Sequence, residues 1–268
     1  MSEHPIAERW RSIRDSTTTR RAALIPYLTA GFPTPALSLE ALRRVAAAGA
    51  DFIEVGIPFS DPLADGPTIQ RSTQTALDQG MTVAGVLDQV RRAALPIPVI
   101  VMTYLNPVLA FGLERFVQEA AAAGVSGLLL TDFPAGADPR IEALVTASPL
   151  AWIRLLAPTT SPERLARAVR GATGFLYLIS RLGVTGARDE VPADLAAHVA
   201  RVRAVSVLPL AVGFGIGTPA QAQAAAALAD GVVVGSALVE ALAQGGPTGA
   251  ERLVRALAAA VRGEASVA

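Results

Sequence analysis

The chain has 268 residues with 23 basic and 23 acidic side chains, a balance that argues against a nucleic-acid face or a surface for anionic membranes. All 23 bases are arginine, so no lysine Schiff base can form; no cysteine is present, so disulfides and thiol chemistry are excluded. Two histidines, His4 and His198, cannot supply a three-histidine catalytic zinc site, and the longest apolar stretch is broken by Pro98, Asn106 and Pro107, against a membrane span.

A polar, charged N-terminus without a signal-peptide core leads into a helix over Ile6–Asp15, and the chain reads as a cytoplasmic protein. Short apolar strands then alternate with amphipathic or alanine-rich helices. Strand Ala23–Leu28 precedes helix Leu37–Ala48; Phe52–Gly56 precedes Val83–Ala94; Val99–Tyr104 precedes Leu113–Ala123; and Gly127–Thr131 precedes Ile141–Ala147. The second half repeats the scheme: strand Trp152–Leu156 with helix Pro162–Val169, Phe175–Ser180 with Ala193–Ala204, Leu208–Gly213 with Pro219–Ala229, and Val232–Gly235 with Glu240–Val261. Thr34–Pro35, Ser161–Pro162 and Thr218–Pro219 each place an N-cap hydroxyl before a proline suited to the first helical turn. Gly49 and Gly124 sit just past helix ends, where a left-handed residue is wanted. Eight such units without a linker match one closed parallel (β/α)8 barrel of the TIM type over residues 1–268, with an extra N-terminal helix; an open doubly wound sheet is the alternative.

Two strand-to-helix connections are long: "IPFSDPLADGPTIQ" after strand two and "SRLGVTGARDEVP" after strand six. In a barrel both lie at the C-terminal face, where active sites are built. Glu54 interrupts the apolar run of strand two, and alternation puts it on one face with Phe52 and Gly56. A carboxylate at a barrel mouth is partly desolvated, which raises its pKa towards proton-transfer use. A buried, hydrogen-bonded structural glutamate is the alternative. For Asp61 and Asp65 spacing leaves turn residues, metal ligands and catalytic carboxylates all open. Tyr177, taken alone, reads as a core tyrosine whose hydroxyl ends near the mouth. "VGFGIGTP" and "VGSAL" place glycines and helix starts after strands seven and eight, the usual phosphate cradle of such barrels. The residues alone therefore point to a barrel enzyme for a small phosphorylated substrate, working by carboxylate acid–base catalysis without lysine or zinc.

"EVGIPFSDPLADGPTIQ" (Glu54–Gln70) closely resembles the signature of the tryptophan synthase alpha chain family. "PYLTAGFP" (Pro26–Pro33), "YLISRLGVTGAR" (Tyr177–Arg188), "GFGI" (Gly213–Ile216) and "GSALV" (Gly235–Val239) resemble its other motifs in order, so the resemblance spans the chain. It implies a lyase that cleaves indole-3-glycerol phosphate to indole and glyceraldehyde 3-phosphate by a retro-aldol reaction. Glu54 would protonate indole C3 and help remove the glycerol hydroxyl proton. Asp65 would hold the indole N–H, and Tyr177 matches a tyrosine near the glutamate. Tyr104, Leu129, Ile69 and Phe214 would line the indole pocket. Gly186, Gly215, Gly235 and Ser236 would hold phosphate, with Thr185 meeting Asp65 when the loop after strand six closes.

The same resemblance implies an α2β2 complex. Pro58, Asp61 and Pro62 would face a beta chain that receives indole through a tunnel and carries pyridoxal phosphate, leaving no cofactor or metal in this chain. A subunit that only activates a beta chain, and a stand-alone indole-releasing lyase, are the neighbouring readings. Tyr27 stands where phenylalanine is frequent and Thr131 where alanine is familiar; "NPVLAFG" (Asn106–Gly112) departs from the bacterial pattern in a segment of the beta interface.

Overall fold

A computed structural model describes residues 3–16, 21–179, 194–213 and 215–264. Helix α1 (Pro5–Asp15) is followed by strand β1 (Ala23–Thr29), α2 (Pro35–Ala47), β2 (Ile53–Gly56), α3 (Pro67–Asp78), α4 (Val83–Ala93) and β3 (Val99–Thr103). Next come α5 (Leu105–Phe111), α6 (Leu113–Ala122), β4 (Val125–Leu130), α7 (Pro139–Ala147), β5 (Ala151–Leu156), α8 (Pro162–Arg170) and β6 (Leu176–Ile179). The chain continues through α9 (Leu195–Arg203), β7 (Leu210–Gly213), α10 (Pro219–Ala226), β8 (Gly231–Val234) and α11 (Ser236–Arg262). The strands pair in parallel in sequence order, and β1 pairs with β8, so the sheet closes as the expected (β/α)8 barrel.

The helix starts follow from their caps. The hydroxyls of Thr34, Ser161 and Thr218 accept hydrogen bonds from the N–H groups of Leu37, Arg164 and Gln221, each with proline in the first turn. The structure adds two helices that periodicity did not signal. Helix α3 begins directly after the acidic loop at Pro67, and α5 occupies one short turn-rich stretch before Gly112. Helix α11 begins at Ser236 rather than at Glu240, with Gly235, just past β8, as its N-cap; it bends at Gly246, before Pro247, which cannot donate to a helix ladder.

Two apolar layers result. Residues on the outer strand faces, such as Ile53, Val55, Leu128 and Trp152, pack under the helices. Phe52, Ile100, Leu129, Ile153, Phe175 and Val233 fill the lumen. The lumen's N-terminal end is closed by α1, whose Ile6, Trp10 and Ile13 are buried, with Trp10 lying 4.9 Å from Phe52 between ring centroids. Asp51 fastens this plug. It is fully buried, and its carboxylate accepts hydrogen bonds from Arg9 (2.7 Å), Arg21 (2.9 and 3.0 Å) and the Leu24 N–H (3.0 Å). Asp51→Ala removes the shared acceptor and leaves these donors unpaired, so it is expected to destabilise the protein by ~3 kcal/mol, read as a lower urea midpoint with unchanged slope.

Candidate active site

The upper lumen is not filled. A cavity of about 460 Å³ opens there, walled by Tyr27 of β1, Glu54 of β2, Met102 of β3, Tyr177 of β6 and Val233 of β8, with Asp65 and Ile69 from the β2–α3 connection and α3. Gly215, Gly217, Gly235 and Ser236 form its rim on the β7 and β8 side. Strand alternation accounts for the inward set: Phe52, Glu54 and Gly56 share the lumen face, as expected, and Tyr27 stands in register with Glu54 on the neighbouring strand.

Glu54 is buried, and neither carboxylate oxygen has a hydrogen-bond partner among the described residues. Desolvation pushes its pKa up to about 8. Among the described residues, then, Glu54 is not the hydrogen-bonded structural glutamate of the alternative reading. Asp65 is held differently. Its backbone N–H donates to the Pro62 carbonyl (3.0 Å), and its Oδ2 accepts a 3.0 Å bond from the Tyr104 hydroxyl, which itself accepts the Ala64 N–H (2.9 Å). Burial raises the Asp65 pKa to about 6, and the Tyr104 bond acts in the opposite direction. Near neutrality the site thus holds one neutral and one ionised carboxyl, the pairing that separates an acid from an electrostatic partner.

Two tyrosines lean across neighbouring strands. A side-chain carbon on Gly56 would overlap the Tyr27 hydroxyl, and one on Gly213 would overlap that of Tyr177, so both rings lie where glycine leaves room. Burial, then the charges of Glu54 and Asp65, hold the Tyr177 pKa well above its ordinary value, which keeps its hydroxyl protonated.

At the rim, Gly235 caps α11, whose first-turn N–H groups point out of the helix start. Gly215 has φ +79°, a conformation suited to glycine, and a side chain there would meet nothing within 4 Å. The Gln221 side chain already occupies the N–H groups of Gly217 and Thr218 (2.8 and 3.0 Å), which narrows the free donors of this loop.

Not every expected residue reaches the cavity. Tyr104 stands behind Asp65, binding its carboxylate. Leu129 is fully buried in the lumen layer with Ile100 and Ile153 and is not among the side chains that line the cavity, although it stands in register with Met102, which does. Asp61 is exposed and accepts a 2.6 Å bond from Ser60; Pro62 is half-buried and Pro58 buried, while adjacent Leu63 is 91% exposed. Thr185, Gly186 and Phe214, with the loop after β6, lie outside the described residues. Tyr27 and Met102 are wall residues that the sequence reading did not assign; the β1–β2 register opposite Glu54 was the signal that could have found Tyr27. Among the described residues no group of acidic or histidine side chains could hold a metal ion, and no helix is long and apolar enough to cross a membrane.

The Glu54 pKa links the site to stability. Because it is higher in the fold than in the unfolded chain, the native state holds its proton longer, and stability falls as pH rises from about 4.5 through about 8. Glu54→Gln keeps the shape without the charge. It is expected to raise Tm markedly at pH 9 and much less at pH 5, as measured by calorimetry.

The family model described as tryptophan synthase alpha chain matches residues 13–267. A tryptophan synthase alpha chain from Chloroflexus aggregans is 44% identical over 262 residues, covering 95% of this chain and 97% of the relative. One from Caulobacter sp. (strain K31) is 48% identical over 224 residues, covering 82% and 81%. Among solved structures, Mycobacterium tuberculosis tryptophan synthase superposes with a TM-score of 0.89 at 41% identity, covering 97% of this chain and 99% of the solved one. Tryptophan synthase subunit alpha from Legionella pneumophila gives 0.88 at 35% identity, covering 98% and 100%.

Proposed function

The chain belongs to the tryptophan synthase alpha chain family, lyases that cleave indole-3-glycerol phosphate, and we propose that Glu54 and Asp65 perform that cleavage here. The observation that carries this is a buried glutamic acid with no hydrogen-bond partner among the described residues, on the wall of a cavity that also holds an ordered aspartate.

Neutral Glu54 gives its proton to C3 of the indole ring, which becomes an indolenine with positive charge on nitrogen. The Asp65 carboxylate accepts the N–H and stabilises that charge, held in place by Tyr104. Glu54, now a carboxylate, takes the proton from the glycerol hydroxyl on the carbon attached to C3. As the C=O forms, the bond from that carbon to C3 breaks, and its electrons neutralise the ring nitrogen. Indole and an aldehyde leave, and Glu54 has regained its proton. The indolenine is the electron sink, so the reaction needs neither lysine nor metal, in keeping with a chain that has no lysine.

Protonated Tyr177 borders both carboxyls, and Ile69 offers an apolar wall for the ring. N–H groups around Gly215, Gly235 and Ser236, at the start of α11, suit the phosphate, with Gly186 and Thr185 joining on loop closure. The exposed Leu63 and Asp61 beside Pro58 and Pro62 suit a beta chain, assembled as α2β2 and bringing the pyridoxal phosphate for tryptophan formation. This chain binds no cofactor of its own in the proposal.

The purified chain should release indole from indole-3-glycerol phosphate, faster with a beta chain added. Glu54→Gln and Asp65→Asn should each lower kcat by at least ~10²-fold while Glu54→Gln still activates the beta chain. Cleavage-competent unmutated protein with fully active Glu54→Gln would overturn the assignment. The profile of kcat/KM against pH should be a bell. Its acid limb lies near pH 6, where Asp65 gains a proton, and its alkaline limb near pH 8, where Glu54 loses one.

A further inference from the structure

Tyr27 lies on the cavity wall with a hydroxyl whose proton has a defined direction. Its oxygen is 3.3 Å from Thr29 Oγ1, Thr29 Oγ1 is 2.7 Å from Ser72 Oγ, and Ser72 Oγ donates to the Ile69 carbonyl at 2.8 Å. A carbonyl can only accept, so in the arrangement in which all three contacts are hydrogen bonds the single Ser72 proton lies there. At the Thr29–Ser72 contact Thr29 must therefore donate, which spends the Thr29 proton in turn. At the remaining, longer contact the Tyr27 hydroxyl is the donor. The run of three hydroxyls ends on a backbone acceptor and has one consistent polarity, buried from water along Thr29 and Ser72.

The consequence lies at the open end. With its hydrogen turned towards Thr29, Tyr27 offers oxygen lone pairs to whatever fills the cavity. Those lone pairs are not used on Asp65: an ionised carboxylate has no proton to give, and its Oδ2 already accepts from Tyr104. Burial first and the Asp65 charge second raise the Tyr27 pKa, with the Thr29 hydrogen bond acting in the opposite direction, so the hydroxyl stays protonated. Gly56 permits this placement, since any side chain there would overlap the hydroxyl.

We propose that Tyr27 is a further catalytic residue, its oxygen accepting a hydrogen bond from the indole N–H beside Asp65 and stabilising the positive charge that forms on that nitrogen. The inference rests on the assignment of Asp65 as partner of the ring nitrogen. A ring in this place would supply packing alone; the oriented dipole adds a fixed negative end where charge develops, without rearrangement during the reaction.

The test compares Tyr27→Phe, Thr29→Val, Thr29→Ser and the Tyr27→Phe/Thr29→Val double variant in indole release. Tyr27→Phe should lower kcat ~10-fold with KM nearly unchanged, as expected for an interaction that strengthens in the transition state. Thr29→Val frees the Tyr27 proton and should lower kcat several-fold, Thr29→Ser should restore it, and Thr29→Val should add nothing once Tyr27 is phenylalanine. Binding supplies a second readout that does not need turnover. Tyr27→Phe should weaken 3-(indol-3-yl)propyl phosphate several-fold and leave its benzothiophene counterpart, which lacks the N–H, unaffected. Full kcat in Tyr27→Phe, equal effects of Thr29→Val with and without the Tyr27 hydroxyl, or equal weakening of both analogues would each overturn the proposal. If the unmutated chain releases no indole, the failure belongs instead to the assignment of the reaction.

Discussion

A carboxyl group taken out of water without a hydrogen-bond partner is unstable as a charge, and the cavity is arranged around that one constraint. Burial raises the Glu54 pKa to about 8, and among the described residues no hydrogen bond compensates its ionised form. The surroundings then decide what the group can do. It can release a proton only to something that enters the cavity, and the carboxylate it leaves behind is driven to recover one. Asp65, eleven positions further on, sits under a different constraint. The Tyr104 hydroxyl partly offsets its burial, so it keeps its charge at a pH where Glu54 does not. Two residues of similar chemistry acquire opposite tasks from their neighbours.

Holding such a group in place requires a rigid frame. The closed sheet leaves the strands no free edge, and the lumen beneath Glu54 is packed by Phe52, Phe175 and the α1 plug. Asp51, immediately before Phe52, fixes α1 through Arg9 and the entry to β1 through Arg21 and the Leu24 N–H. The same short stretch of chain thus anchors the base of the barrel and carries the acid at its mouth. The β2–α3 connection, with exposed Leu63 and the Asp65 carboxylate held by Tyr104, is placed above this frame rather than in it.

The barrel and Glu54 were legible from residue order because both rest on local regularities. Period-two alternation gives the lumen face, and hydroxyl–proline pairs mark helix starts that the structure reproduces at Thr34, Ser161 and Thr218. Asp65 was not legible by spacing: its place is set by Tyr104, thirty-nine positions away, through a bond no local pattern announces. Its role was read from family resemblance. Helix α3 was hidden by the prolines and acids of the loop before it. Tyr27 was visible only as a departure from phenylalanine. Its meaning needs Thr29 and Ser72 together in space.

Gly56 and Gly213 follow Glu54 and Ala211 on the inward faces of their strands, and the room they leave is taken by the hydroxyl ends of Tyr27 and Tyr177 from the neighbouring strands. Part of the chamber wall is therefore lent by one strand to the next. A side chain added at either glycine would displace the tyrosine that leans over it, costing cohesion in the empty enzyme and reshaping the chamber at the same moment. In this architecture the outline of the site and the packing of adjacent strands cannot be altered separately.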